Sequence, residues 1–266
     1  MNTIYFLPNV FTTANLFFGF YSVVSSLNGD YVRAAAVIII ACLFDLLDGR
    51  VARATHSYSQ FGAEYDSLAD GISFGMAPSL LVYLSMLKVF GRIGWLAAFL
   101  FLACGVLRLA RFNVQSKSIE KSYFQGLPIP MAAATLAGAM LLIEEAALRG
   151  VQPHFTEYLT LLMTLVLALL MVSDVKYKSF KEIDLKEKRS FGVLVIALFL
   201  LIIVALKPEI MIFTLAGTYV VVGLTGWVIS SLRKKPSQKP ESLPVDQKRL
   251  IFFPKRKREK RSKWRS

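Results

Sequence analysis

Long apolar stretches separated by short polar segments extend along almost the whole chain. A helix needs about 17 to 25 mostly apolar residues to cross the hydrocarbon core of a membrane. Eight stretches approach or exceed this length, and they cover residues 7–28, 31–53, 60–87, 93–113, 128–148, 155–173, 191–206 and 209–231. The pattern therefore predicts an all-α, polytopic membrane protein with about eight transmembrane helices.

Composition also favours a membrane protein over a soluble domain. Of the 266 residues, 55% are hydrophobic, and the mean hydropathy is +0.52, which is high for a soluble domain. The first apolar stretch lacks a basic leading segment and a small-residue cleavage site, so we expect no removable signal peptide. We divide the chain into a transmembrane domain at residues 1–233 and a basic tail at 234–266, which is predicted to be disordered.

The distribution of basic residues predicts the orientation in the membrane. The chain contains 31 Lys and Arg. If the amino terminus is cytoplasmic, the segments on the far side of the membrane hold only Arg33, Lys88, Arg92, Arg149 and Lys207. This bias follows the positive-inside rule. We therefore predict a protein integral to the cytoplasmic membrane, with both termini on the cytoplasmic side.

The tail gives the chain much of its positive charge. The net charge is +13, and residues 255–261 form a basic block of the kind that also binds nucleic-acid phosphates. Directly after a membrane helix, such a block more commonly contacts anionic lipid headgroups, at about 1 kcal/mol per basic residue. We predict anionic membrane lipids as the partner of the tail and no nucleic acid, with a merely solvated tail as the alternative.

Four aspartates lie inside the predicted membrane segments. Insertion scales assign about 2.5 to 3.5 kcal/mol to a charged side chain at the centre of a membrane helix, so such a cluster needs compensation. Asp45 and Asp48 are three positions apart, and Asp66 and Asp70 are four apart. Each pair therefore shares one face of its helix. The spacing predicts a helical hairpin with two facing carboxylate pairs, open to the cytoplasm.

Facing carboxylates suit two classes of function. Oxygen ligands favour Mg²⁺, Mn²⁺ or Ca²⁺ over zinc, and two ions bridged by aspartates commonly assist displacement at phosphorus. Arg53, on the same face, is suited to bind a phosphate, or it neutralises the aspartates together with Arg50. The alternative class is an ion-coupled transporter, in which intramembrane aspartates relay protons. The chain halves show no repeat of the kind many transporters carry.

The same segment resembles a family signature. From Asp45 to Asp70 the chain matches the pattern D-x2-D-G-x2-A-R-x8-G-x3-D-x3-D at every fixed position, and this pattern is that of the CDP-alcohol phosphatidyltransferases. The resemblance covers about residues 5 to 231 and leaves the tail outside. It implies that an alcohol attacks a cytidine-diphosphate-activated lipid, which gives a phospholipid and CMP.

The resemblance also implies roles for the residues of the signature. Asp45, Asp48 and Asp66 match the metal ligands, Asp70 also faces the metals, and the implied cofactor is Mg²⁺ or Mn²⁺, as two ions. Asp70 matches the general base, which takes the proton of the attacking hydroxyl. The positions that match the surroundings of the CDP-lipid are Gly49, Ala52, Arg53 and Gly62.

Polar residues of the first span form a further candidate group. Asn9, Thr12 and Asn15 follow one another at intervals of three residues and share a helix face. Thr12 and Asn15 are predicted to line the CDP-lipid pocket. An equally good interpretation is that they hydrogen-bond to neighbouring helices.

Flanking segments resemble the phosphatidylserine-forming branch of the family. These segments are residues 7–15, 73–78, 108–113 and 124–130. The implied substrates are CDP-diacylglycerol and L-serine. The alternatives are another acceptor, such as glycerol 3-phosphate, inositol or choline, or a donor with archaeol-type ether chains. Dimers occur in the family, so a homodimer is a further expectation.

The end of the fourth span contains a candidate serine pocket. Arg108, Arg111 and Asn113 cluster there, and guanidinium and amide groups suit the carboxylate of serine. Lys117 and Lys121 follow closely and are candidates to assist. The competing interpretation is that these arginines are ordinary positive-inside anchors.

Overall fold

The computed structural model describes residues 6–55, 59–115, 123–150, 155–178 and 208–233. Helices dominate this part of the chain, and the longer ones coincide with the predicted apolar stretches. They are α1 (Phe6–Leu27), α2 (Tyr31–Ala54), α3 (Gln60–Asp70), α4 (Ala77–Ser85), α5 (Arg92–Gln115), α6 (Ile129–Leu148), α7 (Thr156–Val172) and α8 (Pro208–Arg233).

The first two helices form an antiparallel hairpin that supports the aspartates. Asp30 caps α2, because its side chain accepts a hydrogen bond from the backbone N–H of Arg33. Small or slender side chains of α2 are fully buried, among them Ala34, Ala35 and Ile38. Ser22 of α1 donates to the carbonyl of Ala34 at 2.9 Å. Close packing of α1 against α2 thus fixes the face from which the aspartates project.

The third predicted span is one continuous helical segment with a change of winding. A π-helical turn, Gly71–Met76, joins α3 to α4 and begins directly after Asp70. Such turns occur inside α-helices, frequently at functional sites. A short 3₁₀ turn, Leu87–Phe90, then leads into α5. The π turn therefore lies where the polar half of this segment meets its apolar half.

Two short strands connect distant loops. β1 (Tyr123–Gln125) pairs antiparallel with β2 (Lys176–Lys178), with Phe124 opposite Tyr177. Next to this ladder, the backbone N–H of Gly126 donates to the carbonyl of Val175 at 2.9 Å. The apolar pattern did not predict this ladder, which links the α5–α6 connection to the end of α7.

Helices long and apolar enough to cross a membrane are present, as predicted. In the described part of the chain they are Asn9–Leu27, Gln60–Ser85, Arg92–Val114 and Ile129–Leu148. Two apolar helices are shorter, Thr156–Val172 and Ile210–Gly226. α2 is long enough but carries charged residues in its second half, and the predicted seventh span, 191–206, lies outside the described residues. A helical membrane protein is thus confirmed, whereas eight crossings are not shown.

Candidate active site

Three of the four predicted aspartates meet between α2 and α3. One carboxylate oxygen each of Asp45, Asp48 and Asp66 lies within 4.8 Å of the other two. Asp48 is buried, with 6% of its surface exposed, and the other two are half-buried. We call these three residues the acidic cluster. The helical hairpin therefore brings three of the four predicted carboxylates together.

The acidic cluster has the properties of a site for a hard divalent cation. Asp66 Oδ1 is buried and accepts no hydrogen bond from the part of the chain that the structure describes. Among the described residues, no basic side chain forms an ion pair with Asp45 or Asp66. Buried carboxylates without such partners are costly. Carboxylate oxygens are the ligands that Mg²⁺, Mn²⁺ and Ca²⁺ prefer, so these residues fit a metal ion.

Asp70 lies outside the group of three and is held differently. It is buried at the end of α3, with 7% of its surface exposed. Its Oδ1 accepts a hydrogen bond from Asn15 Nδ2 at 3.0 Å. Thr12, one helical turn earlier on α1, donates its hydroxyl to Asp48 Oδ2, also at 3.0 Å. The polar face predicted on α1 therefore contacts aspartates of both neighbouring helices.

The remaining signature residues surround the acidic cluster on α2 and α3. Gly49 and Ala52 are half-buried on α2. Gly62 lies in the first turn of α3, where its N–H donates to the capping hydroxyl of Ser59 at 2.9 Å. A Cβ at Gly62 would lie 3.4 Å from Asn9 Oδ1, so the first helix passes close to this turn. The side chain of Arg53 lies outside the described part of the structure.

The residues of the predicted serine pocket have two different environments: Arg108 is buried, whereas Arg111 and Asn113 hydrogen-bond to other helices. Arg108 is buried, with 7% of its surface exposed, and its Nε has no hydrogen-bond partner among the described residues. Its guanidinium interacts electrostatically with Asp70 and with Tyr219 of α8. Arg108 thus extends from α5 towards the side of the site where Asp70 lies.

Arg111 and Asn113 already have protein partners. Arg111 donates from Nη1 to the carbonyl of Val172 and from Nη2 to the carbonyl of Ser173, both at 3.2 Å, and reaches Asp174 at 3.4 Å. These acceptors lie at the C-terminal end of α7, where backbone carbonyls lack helical partners. Asn113 hydrogen-bonds to α3, where it contacts Ser67 and Glu64. Lys117 and Lys121 lie outside the described residues.

Several residues near the site were missed. Ser73 donates to the backbone carbonyl of Asn15 at 3.0 Å, and Tyr65 shares a hydrogen bond with Thr13 at 3.0 Å. Tyr219 lies on α8, far from the signature in sequence. Ser73 belongs to one of the flanking segments that carry the family resemblance, and this position was a usable signal. No sequence feature pointed to Tyr65 or Tyr219.

Comparisons with known proteins agree with this site. Residues 5–172 match the family model described as CDP-alcohol phosphatidyltransferase. A CDP-diacylglycerol–serine O-phosphatidyltransferase from Helicobacter pylori is 36% identical, over 86% of this chain and 93% of that protein. A protein of the same name from Mycobacterium tuberculosis is 38% identical over 51% and 49%. An archaetidylserine synthase from Methanothermobacter thermautotrophicus is 35% identical over 64% and 69%.

Proposed function

The chain belongs to the CDP-alcohol phosphatidyltransferase family, and we propose that it transfers the phosphatidyl group of CDP-diacylglycerol to L-serine, giving phosphatidylserine and CMP. The observation that carries this proposal is the acidic cluster. An unbroken family signature brings Asp45, Asp48 and Asp66 within 4.8 Å of one another. The choice of serine rests on the relatives, because the Helicobacter pylori protein matches along nearly its whole length. The protein is thus a transferase of phospholipid biosynthesis.

The aspartates account for the chemistry. Asp45, Asp48 and Asp66, with Asp70 beside them, would hold Mg²⁺ or Mn²⁺. Two such ions, when bound, neutralise the phosphate oxygens and the departing CMP. The serine hydroxyl loses its proton to Asp70 as its oxygen bonds to the β-phosphorus of the donor. The bond from that phosphorus to the oxygen of CMP breaks, and CMP leaves.

The two substrates approach this centre from different sides in our proposal. Gly49, Ala52, Arg53 and Gly62 surround the diphosphate and cytidine of the CDP-lipid. Thr12 and Asn15 of α1 line this side of the pocket through their hydrogen bonds to Asp48 and Asp70. The cluster of Arg108, Arg111 and Asn113 forms the serine side. Arg108 is the member suited to contact the serine carboxylate, because it is buried and no described residue hydrogen-bonds to its Nε. Arg111 and Asn113 hold the end of α5 against α7 and α3.

The membrane arrangement is also part of the proposal. The positive-inside bias supports eight crossings in the cytoplasmic membrane, with both termini and the active site on the cytoplasmic side. Residues 1–233 form the transferase domain, and the tail at 234–266 binds anionic lipids rather than nucleic acid. A homodimer completes the proposal. Cysteine accessibility from each side of sealed vesicles would test the topology.

One of the relatives suggests a second lipid donor besides CDP-diacylglycerol. The relative from Methanothermobacter thermautotrophicus is an archaetidylserine synthase, so CDP-archaeol is a donor to test beside CDP-diacylglycerol. Both lipids present the same cytidine diphosphate, and they differ in the lipid part, which carries ester-linked acyl chains in one and ether-linked isoprenoid chains in the other. The acidic cluster does not discriminate between them, and we expect the head group chemistry to be identical.

The proposal is tested by purifying the protein in detergent with Mn²⁺ and following CMP release from each CDP-lipid. Parallel reactions contain serine, glycerol 3-phosphate, inositol or no acceptor. We expect CMP and a new aminophospholipid with serine only, and loss of both with a chelator. Release with another acceptor would overturn the serine assignment. No release with any acceptor would overturn the transferase assignment.

A further inference from the structure

Asn15 is contacted twice by the segment that carries Asp70. Its side-chain Nδ2 donates to Asp70 Oδ1 at 3.0 Å, and its backbone carbonyl accepts from the hydroxyl of Ser73 at 3.0 Å. Asn15 and Ser73 are fully buried, and Asp70 is 7% exposed. Two hydrogen bonds of ordinary length thus join one residue of α1 to both sides of the junction between α3 and the π turn.

The contact with Asn15 occupies one oxygen of Asp70. Among the described residues, no donor other than Asn15 hydrogen-bonds to this carboxylate. Oδ1 is therefore fixed by the amide, and Oδ2 accepts no hydrogen bond from the described residues. A hydrogen bond from a neutral donor restricts the rotation of a carboxylate without neutralising it. Orientation of this kind is what a general base needs.

Gly19 permits the second contact. Gly19 lies one turn after Asn15 on α1 and faces Ser73 of the π turn. A Cβ at position 19 would lie 2.2 Å from Ser73 Oγ and 2.6 Å from Ser73 Cα, far inside van der Waals contact. Only glycine leaves room for the Ser73 hydroxyl to reach the Asn15 carbonyl. The three residues Gly19, Ser73 and Asn15 therefore form one support behind Asp70.

We propose that Asn15 is a positioning residue that orients the Asp70 carboxylate for proton transfer, and that Ser73 and Gly19 hold Asn15 in place. The inference rests on the proposed function, in which Asp70 receives the proton of the acceptor hydroxyl as the new oxygen–phosphorus bond forms and CMP departs. It gives Asn15 a role in the chemical step, distinct from contact with the CDP-lipid.

The first test is Asn15→Leu, which preserves the approximate shape of the side chain and removes the amide. The matched control is Thr13→Val, because Thr13 forms a 3.0 Å hydrogen bond between α1 and α3 through Tyr65 without touching Asp70. We expect kcat for phosphatidylserine formation to fall about 100-fold in Asn15→Leu, within the range for general-base catalysis. In the same variant, the KM for CDP-diacylglycerol and the Kd for CDP-diacylglycerol, measured in the presence of Mn²⁺, should change less than about threefold. Thr13→Val should retain about half of the activity or more.

A second pair of variants keeps the test decisive if Asn15→Leu does not fold. Ser73→Ala removes only the hydroxyl that holds Asn15, and Ser79→Ala removes a buried hydroxyl that bonds to Gly75 within the same segment at 2.7 Å. We expect kcat to fall about 5-fold in Ser73→Ala at unchanged KM, and to stay within about 2-fold in Ser79→Ala.

The outcomes separate the inference from the proposed function. If the unmodified protein forms no phosphatidylserine, the proposed function fails. If it does, but Asn15→Leu raises the KM or Kd for the CDP-lipid at unchanged kcat, Asn15 is a substrate contact and the inference is wrong. Equal losses in Ser73→Ala and Ser79→Ala would show a merely structural contribution and would also overturn it.

Discussion

Two regions of the protein differ in how their charged side chains are paired: like charges meet in the acidic cluster on α2 and α3, whereas a charge at the basic end of α5 is bound by protein acceptors. Three carboxylates of the acidic cluster face one another, and Asp66 Oδ1 has no hydrogen-bond partner within the described ranges. At the end of α5, Arg111 finds two backbone carbonyls and a carboxylate at the end of α7. Charge that the protein itself satisfies holds helices together, whereas charge that it leaves unsatisfied is available to a ligand.

The magnitudes support this distinction. Two ionised carboxylate oxygens no more than 4.8 Å apart repel each other by about 3.5 kcal/mol or more at the effective dielectric constant of 20 that suits protein sites. A hydrogen bond from a charged donor such as Arg111 stabilises by about 1.5 to 3 kcal/mol. The acidic cluster is therefore a net cost to the protein alone. Arg111 contributes to stability, and Arg108 lies between these cases because its Nε is buried and finds no hydrogen-bond partner in the described part of the chain.

The largest effect is expected from Asp66→Asn. This change keeps the size of the side chain but removes a charged ligand from the acidic cluster, so the phosphate charge that develops during transfer is no longer neutralised. We expect kcat to fall by about 10³-fold or more, on the scale of losing a major electrostatic contribution. The rate of CMP release with serine measures the change.

The control for that variant is Glu144→Gln. Glu144 is a half-buried carboxylate on α6, and the same loss of charge there should leave the rate within about twofold, as for most changes away from a site. Similar losses in the two variants would mean that the acidic cluster has no special role.

The next largest effect is expected on the use of serine, and it distinguishes Arg108 from Arg111. Arg108→Lys keeps the charge but loses the planar fork that binds a carboxylate at two points. We expect kcat/KM for serine to fall about 30-fold, or about 2 kcal/mol by RT ln 30, while the KM for CDP-diacylglycerol changes little. Arg33→Lys, at an exposed pair with Asp30, is the matched control. An equal fall in kcat/KM for serine in Arg111→Lys would remove the distinction between the buried Arg108 and Arg111, which is bound to the end of α7.

These positions show what the sequence could predict. The spacing of the aspartates predicted their shared helix faces, because helical periodicity is local. The destination of Arg111 was not predictable, since the end of α7 is about sixty residues away in sequence and joins α5 only through packing. The π turn after Asp70 was missed for a related reason. Residue propensities do not distinguish a π turn from an α-helix. The close approach of Ser73 in this turn to Gly19 depends on how α1 packs against the turn.

A smaller effect concerns stability without metal. Because the carboxylates of the acidic cluster repel one another, Asp66→Asn should stabilise the metal-free protein by about 1 to 2 kcal/mol, less than the bare repulsion because solvent screens it. In a chelator, the apparent Tm of Asp66→Asn should therefore exceed that of the unmodified protein by a few degrees. Mn²⁺ should raise the Tm of the unmodified protein more than that of the variant. A lower Tm of the variant in chelator would show that the acidic cluster is not strained by its own charge.

The smallest effect tests the tethered arginine. Lysine at position 111 cannot reach three acceptors at once, because its single ammonium lacks the geometry of the guanidinium. Arg111→Lys should therefore lose about 1 kcal/mol of stability and lower the apparent Tm by a few degrees. The matched change is Arg149→Lys, at an exposed i,i+4 pair with Glu145, where about 0.3 to 0.5 kcal/mol is at stake. If both changes lower the Tm equally, Arg111 does not fasten α5 to α7 more strongly than an ordinary surface pair does.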